Sequence, residues 1–160
     1  MRVDRPMKEL HVVGRSGAGK TTLILGLIRL LQRDGVAVAA IKHHHGVLSP
    51  PGKDSARLFA AGLPTVLLAA DGILEMAQAP TLAAAKGRLS PDLTLLLVEG
   101  IKEYPGAKIW VGEDCPPALP GLLAVVGGAG PAGCRTIAER DPDLVYREVV
   151  RPFLGREGDD

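Results

Sequence analysis

The sequence predicts an α/β fold with three layers, in which helices cover both faces of a mostly parallel sheet. Short apolar runs that are typical of buried strands alternate along the chain with runs of helical periodicity. A glycine-rich stretch joins the first strand-like run to the first helical run, as in many α/β domains. The dipeptide Asp71-Gly72 separates two further apolar runs and favours a two-residue turn, which adds an antiparallel hairpin.

The first strand and the first helix have the clearest patterns. Leu10–Val13 predicts a strand, and a helix follows over 20–33, because apolar residues recur there at three- and four-residue spacing. Asp34-Gly35 ends this helix, since glycine readily takes the left-handed conformation found at helix C-termini. One face of the helix is therefore expected to be buried.

The remaining predicted elements are shorter. The run 36–41 is continuously apolar, which predicts a strand buried on both faces. Asp54 or Ser55 is the expected cap of a short helix that ends at Ala61. The other predicted strands cover 65–70, 73–78, 93–98, 108–111 and 122–126, and the other predicted helices cover 80–89 and 141–154.

The stretch between the first strand and the first helix fits the phosphate-binding pattern G-x-x-x-x-G-K-[ST]. Its glycines allow several backbone N–H groups to point at phosphate oxygens, and the helix adds the positive end of its dipole. Lys20 is expected to reach the β- and γ-phosphates and Thr21 to ligate Mg²⁺. The predicted nucleotide-binding residues are Gly14, Arg15, Ser16, Gly17, Ala18, Gly19, Lys20, Thr21 and Thr22.

The length of 160 residues suits one domain with one core. We expect a single P-loop nucleotide-binding domain over 1–155 and a flexible tail over 156–160. A net charge of +1 and an aromatic content of 3% exclude the usual nucleic-acid surfaces. The apolar run 23–31 is far shorter than the ~20 residues of a membrane span, and 1–6 lack the apolar centre of a signal peptide. The expected protein is soluble and cytoplasmic.

Glu99 is the candidate acidic residue of the site. It follows the apolar run 93–98, and so it lies at the carboxyl end of a predicted buried strand. In P-loop proteins an acidic residue at that place orients Mg²⁺ or its water. The predicted metal-binding residues are therefore Thr21 and Glu99.

The run His43-His44-His45 follows the predicted strand 36–41 at its carboxyl end. Consecutive residues of an extended segment point to alternate sides, so only His43 and His45 could share a metal ion. The alternative is a polar loop that lines a phosphate or substrate pocket. Residues expected at the mouth of the site are Lys42, His43, His45, Gly100 and Lys102.

The base of the nucleotide is not selected by a local motif. Guanine is usually read by N-K-x-D or T-K-x-D, but the chain has no Asn and no Thr followed by Lys.

Three stretches together resemble the molybdopterin-guanine dinucleotide biosynthesis protein B family. They are Gly14–Leu23, then Ile41–His45 followed by Pro51–Arg57 and Ala60–Gly62, and then Leu97–Lys102. The histidine-rich strand end followed by P-G-K-D-S is the most specific of them. The resemblance covers roughly residues 9–111.

The resemblance implies a homodimeric protein that binds GTP with Mg²⁺ and has at most weak GTPase activity. It implies a partner enzyme as well, a molybdopterin guanylyltransferase, which the protein assists in molybdenum cofactor maturation. By position, 14–22 correspond to the family's phosphate loop, Glu99 to the acidic residue near the metal, and Lys42 and His43 to the mouth of the site. The hairpin around Asp71-Gly72 is the expected dimer interface, since an uncovered strand edge favours pairing.

Two other functions remain open at this point. A small-molecule or nucleotide kinase would need a base near the γ-phosphate, and Glu99 or His43 is suited to that role. A GTPase metallochaperone would use the histidine run at 43–45 to load a metal ion.

Overall fold

The computed structural model describes residues 6–78 and 81–156. The chain divides into two compact units, of which the first runs to His43 and resumes at Ser90, and the second is His44–Leu89. The single domain expected over 1–155 stays a prediction. Residues 157–160 of the expected tail lie outside the described residues.

Eight strands and five helices make up the described part of the chain. The strands are β1 (Lys8–Gly14), β2 (Val38–Lys42), β3 (Thr65–Ala69), β4 (Gly72–Met76), β5 (Leu95–Glu99), β6 (Lys108–Val111), β7 (Leu122–Val126) and β8 (Arg135–Ile137). The helices are α1 (Lys20–Arg33), α2 (Lys53–Ala60), α3 (Leu82–Lys86), α4 (Pro142–Val145) and α5 (Arg151–Leu154), and a π-helical turn, Tyr146–Val150, joins the last two.

The first unit is built on a six-stranded sheet in the order β2-β5-β1-β6-β7-β8, and every neighbouring pair is parallel. The second unit contains the antiparallel pair β3-β4. The predicted α/β class, a mostly parallel sheet with helices and a hairpin, is confirmed. Because β1 lies between β5 and β6, the loop that follows it opens at the middle of the sheet's carboxyl edge.

The main core lies between one face of the sheet and the helices α1, α4 and α5. The apolar stripe of α1 contributes Leu23, Leu27 and Leu31 to it, which explains why this stretch is helical. Gly26 of α1 lets α4 approach closely, since a Cβ on Gly26 would lie 2.4 Å from Cγ of Pro142 in α4. On the other face, Val13 and Trp110 pack with half-buried residues of the connecting segments, such as Leu119.

Three sequence expectations need correction. The strand β2 is only partly buried, because it is an edge strand of the sheet, so the prediction of burial on both faces was wrong. Neither Asp54 nor Ser55 caps α2; Gly52 is its N-cap, and Asp54 stands in the first turn, where its charge suits the helix dipole. The strand β8 was missed because three residues, two of them polar and exposed, have no strand-like pattern.

The C-terminal helix departs from α geometry in its middle. Its extent agrees with the predicted 141–154, but Tyr146–Val150 is π-helical. Pro152 explains this, because proline has no N–H for the preceding turn and its ring crowds the carbonyl four residues earlier. A wider turn just before the proline accommodates both effects.

The second unit contains the hairpin that Asp71-Gly72 predicted. Ala69 pairs with Gly72 and Leu68 with Ile73, so the two turn residues are Ala70 and Asp71, one position before the predicted pair Asp71-Gly72. The side chains of Leu68 and Ile73 are 82% and 70% exposed. In the described part of the chain, no helix has the length and apolar character that crossing a membrane requires.

Tyr146 links the C-terminal helix to the end of α1. Its side chain is buried, and its hydroxyl donates to Oδ2 of Asp34 at 2.8 Å. Burial, and then this hydrogen bond, raises the pKa of Tyr146 to about 12, and the same bond together with one from Arg33 lowers the pKa of Asp34. The folded chain therefore holds the phenolic proton more tightly than the unfolded chain, in which tyrosine ionises near about pH 10.

Replacing Tyr146 by Phe is expected to lower the free energy of unfolding by about 1–2 kcal/mol at pH 7, because the hydrogen bond to a carboxylate is lost. The contribution of the phenolic proton is present below about pH 10 and disappears as the pH rises toward about 12. Urea denaturation of both proteins at pH 7–11 should show the difference between them shrinking above pH 10. A difference that is constant with pH would contradict the assignment.

Candidate functional site

The loop between β1 and α1 has the backbone that phosphate binding needs. Gly14, Gly17 and Gly19 have φ values of 147°, 75° and 92°, and Gly19 is the N-cap of α1. Among the described residues, no side chain caps this end of α1, and its first turn holds no acidic residue. Its N–H groups and the positive end of its dipole are therefore available to an anion.

Lys20 is folded back onto the loop. Its Nζ donates to the carbonyl oxygens of Gly14 at 3.2 Å and of Arg15 at 2.6 Å. These bonds hold the ammonium group over the mouth of the loop. A phosphate bound at the loop would be a stronger partner for the ammonium group than a neutral carbonyl, because both partners of that bond would be charged.

Thr21, Lys42 and Glu99 form one cluster beside the loop. The hydroxyl of Thr21 donates to Oε2 of Glu99 at 2.7 Å. Nζ of Lys42 lies 2.7 Å from Oε1 of Glu99 and 3.4 Å from Oγ1 of Thr21. Sheet register explains the meeting, because Lys42 on β2 pairs directly with Glu99 on β5. The structure therefore brings together the two predicted metal-binding residues and one residue of the predicted mouth.

The carboxyl group of Glu99 is ionised at neutral pH. Burial raises its pKa, but hydrogen bonds from Lys42 and Thr21 and the charges of Lys42 and Lys20 outweigh burial, so the pKa lies below its usual value. A carboxylate and a hydroxyl oxygen are ligands that suit Mg²⁺. The ammonium group of Lys42, in contact with both, shows that a positive charge fits there.

A buried histidine holds the strand end that carries Glu99. The ring of His11 has its Nδ1 3.0 Å from the carbonyl oxygen of Gly100 and its Nε2 2.7 Å from Oε1 of Glu9. Its side chain is fully buried and stacks on Tyr104, with the ring centroids 4.0 Å apart. This role was not predicted, and the only signal for it in the sequence is a single histidine inside an apolar strand.

Other residues of the predicted mouth are placed differently. The backbone N–H of His43 donates to the carbonyl of Glu99 at 3.0 Å, and Gly100 follows with a φ of 104°. Lys102 lies over the ring of Trp110, with Nζ 5.2 Å from the centroid. His45 belongs to the second unit. Among the described residues, no three His, Cys, Asp or Glu side chains converge in a way that could hold a metal ion.

A pocket of about 230 Å³ adjoins the phosphate loop. It is lined by 15–18, by 110–114 and by Arg140. Nε of Arg15 lies 3.2 Å from Oδ2 of Asp114, and Nη1 of Arg140 lies 3.8 Å from the position that a Cβ on Gly19 would take. Asp114 and Arg140 were not predicted as site residues, because both come from segments more than 90 residues from the loop.

Comparison with known proteins gives the same family that the sequence motifs resemble. A family model described as molybdopterin guanine dinucleotide synthesis protein B, MobB, matches residues 9–120. The molybdopterin-guanine dinucleotide biosynthesis adapter protein of Haemophilus influenzae is 39% identical over 107 residues, which are 62% of this chain and 60% of that protein. A probable adapter protein of the same name from Bacillus subtilis is 31% identical over 118 residues, 68% of this chain and 67% of that one. The match thus spans three fifths of the length of the Haemophilus relative.

Solved structures show the same fold. A crystal structure of molybdopterin-guanine biosynthesis protein B has a TM-score of 0.71 at 23% identity, over 91% of this chain and 99% of that one. A MobB protein homolog from Bacillus stearothermophilus has a TM-score of 0.65 at 22% identity, over 94% and 97% of the two chains. The family model covers well over half of the chain, from β1 to the segment before β7. The chain therefore belongs to the MobB family, whose model is named for molybdopterin guanine dinucleotide synthesis.

Proposed function

We propose that the protein is a GTP-binding accessory protein of molybdenum cofactor maturation, which binds GTP with Mg²⁺ and assists a molybdopterin guanylyltransferase. The cluster of Thr21, Lys42 and Glu99 beside the glycine loop is the observation that carries this proposal. The family match supports the pathway, and the word adapter in the names of the relatives supports a partner enzyme.

In the proposed complex, the N–H groups of the loop and of the first turn of α1 bind the phosphates. Lys20 leaves the carbonyls of Gly14 and Arg15 and pairs with the β- and γ-phosphates. The hydroxyl of Thr21 and the carboxylate of Glu99 hold Mg²⁺, which neutralises phosphate charge when bound. Lys42, whose Nζ now contacts Glu99, would be close enough to pair with the phosphates if Glu99 held the metal ion.

Hydrolysis in this proposal is weak at most. Turnover needs a group that positions the attacking water, commonly a glutamine. Within the described residues of the first unit, the only glutamine is Gln32, which stands twelve residues after Lys20 along α1 and so about 18 Å from the loop. The proposed protein is also a cytoplasmic homodimer, in which the exposed apolar side chains of β3 and β4 supply the contact.

Calorimetric titration with Mg²⁺–GTP and Mg²⁺–ATP tests the proposal directly. Tighter binding of GTP than of ATP is the expected result. A preference for ATP would contradict it and favour a kinase, and no binding of either nucleotide would exclude GTP binding by the chain alone.

Replacing Glu99 by Gln is expected to weaken Mg²⁺-dependent GTP binding about 10-fold, because the metal loses its charged ligand. Binding measured in EDTA should be unchanged, since the loop and Lys20 remain. Replacing Asp92 by Asn is the matched control: this exposed carboxylate stands just before the same strand, at the opposite end from the site. Equal behaviour of the two variants would remove Glu99 from the metal site.

A further inference from the structure

We propose that the 230 Å³ pocket beside the phosphate loop receives the purine base, and that Asp114 is the group that distinguishes guanine from adenine. The inference rests on the proposed function, since it names the base-binding part of the same nucleotide site. It assigns a role that no local motif of the sequence supplies.

Position and size both favour a base. Ser16, Gly17 and Ala18 belong to the phosphate loop and line the pocket as well, so one nucleotide can reach both places. The volume is below the about 300–1,000 Å³ of pockets that enclose a whole drug-sized ligand. One ring system, with its phosphates lying outside on the loop, suits such a space.

Trp110 gives an independent indication of a ligand. It lines the pocket, and its side chain is only 2% exposed. Its Nε1 is buried and has no hydrogen-bond partner among the described residues, and it lies 3.9 Å from the place of a Cβ on Gly112, another lining residue. Buried N–H groups of native proteins are nearly always bonded, so an acceptor on the ligand is the expected partner. Guanine carries acceptors at O6 and N7.

Asp114 has the chemistry to select guanine. A carboxylate accepts hydrogen bonds only, at up to about four lone-pair sites, and Arg15 occupies Oδ2. Guanine presents two neighbouring donors, N1–H and the 2-amino group, whereas adenine has a ring acceptor and a C–H there. The contact with Arg15 places Asp114 beside the loop, and the carboxylate is exposed and so remains accessible to a ligand.

Arg140 closes the side of the pocket. Its Nε lies 2.6 Å from the place of a Cβ on Gly127, and its Nη1 approaches Gly19. A guanidinium plane in this place can stack on a purine ring. Gly127 leaves room for the guanidinium group, because a Cβ at that position would collide with it.

The test combines substitution of Asp114 with a change of the nucleotide base. Wild type, Asp114→Asn and the control Glu139→Gln are titrated with GTP, ITP, XTP and ATP in Mg²⁺. Glu139 is an exposed acid that follows β8 at the same sheet edge but does not line the pocket. An amide donates to the 2-oxo group of xanthine and loses the bond to the 2-amino group of guanine. Asp114→Asn should therefore bind GTP about 10- to 100-fold more weakly and XTP more tightly, with Glu139→Gln unchanged.

The outcomes separate the two proposals. If wild type binds no GTP, the proposed function fails, and the base assignment fails with it. If wild type binds GTP but Asp114→Asn keeps the wild-type ratio of GTP to XTP affinity, or if Glu139→Gln changes that ratio instead, only the base assignment is overturned. Equal binding of GTP, ITP and ATP by wild type overturns it as well.

Trp110 supplies a second test that needs no variant. It is the only tryptophan of the chain, so fluorescence emission reports on this pocket. GTP should quench or shift the emission, and inorganic triphosphate, which reaches the loop without a base, should leave it unchanged. GTP binding detected by calorimetry with unaltered emission would overturn the assignment.

Discussion

Replacing Lys20 by Ala is expected to lower the affinity for Mg²⁺–GTP by at least about 100-fold, the size of effect that follows when one partner of a desolvated charge pair is removed. Lys20 is the side chain whose ammonium group lies over the loop mouth, 2.6 Å from the carbonyl of Arg15. Without it, the β- and γ-phosphates keep only the backbone N–H groups and the metal. Calorimetric titration with Mg²⁺–GTP measures the loss.

Arg29→Ala is the matched control for this experiment. Arg29 lies on the same helix, is exposed, and stands more than two turns beyond the loop. The variant removes one positive charge as Lys20→Ala does, so a general charge effect would appear in both. Similar affinities for the two variants would contradict a specific phosphate contact at Lys20.

Replacing Gly14 by Ala is expected to lower the free energy of unfolding by about 3 kcal/mol or more, which places it among the most harmful single substitutions. Gly14 has a φ of 147°, and a Cβ on it would lie 2.2 Å from the carbonyl oxygen of Val111. Gly14 and Val111 are paired residues of β1 and β6, so the clash is with the backbone of a fully buried strand. Urea denaturation without nucleotide measures the effect.

Gly17→Ala separates the two contributions to this loss of stability, the backbone strain of a positive φ and the clash with Val111. Gly17 also has a positive φ, 75°, but a Cβ there would meet nothing within 4 Å. The variant carries the conformational strain alone, at about 1–2 kcal/mol. Equal losses for Gly14→Ala and Gly17→Ala would show that the contact with Val111 is relieved by a movement of β6.

The sequence predicts those parts of the site whose residues lie close together along the chain. The glycine loop, Lys20 and Thr21 follow from a strand, a turn and a helix within about 25 consecutive residues, whose pattern is set by backbone geometry and by burial of one helix face. Glu99 was found because the carboxyl ends of parallel strands share one edge of the sheet. Its direct contact with Thr21 agrees with that reasoning.

The parts that the sequence does not predict depend on the order of the strands. No local pattern states that β2 is an edge strand, so its apolar residues suggested full burial. Arg140 approaches Gly19 because β8 and the turn after it lie along the same edge, and nothing near Arg140 in the sequence indicates this. The contact of His11 with Gly100 likewise depends on the pairing of β1 with β5.

The central place of β1 in the sheet also determines when the nucleotide site is completed during synthesis. Both neighbours of β1 come much later in the chain, at Leu95–Glu99 and Lys108–Val111. The phosphate loop is synthesised before either neighbour, so its strand has no partner in the sheet until residue 99 has emerged and lacks its second partner until residue 111. Such long-range pairing slows folding, because a long loop must close before any of its contacts form. The nascent chain therefore carries the motif long before the site: the cluster of Thr21, Lys42 and Glu99 needs β5, and the adjoining pocket, lined by residues 110–114, needs β6 and the residues just after it.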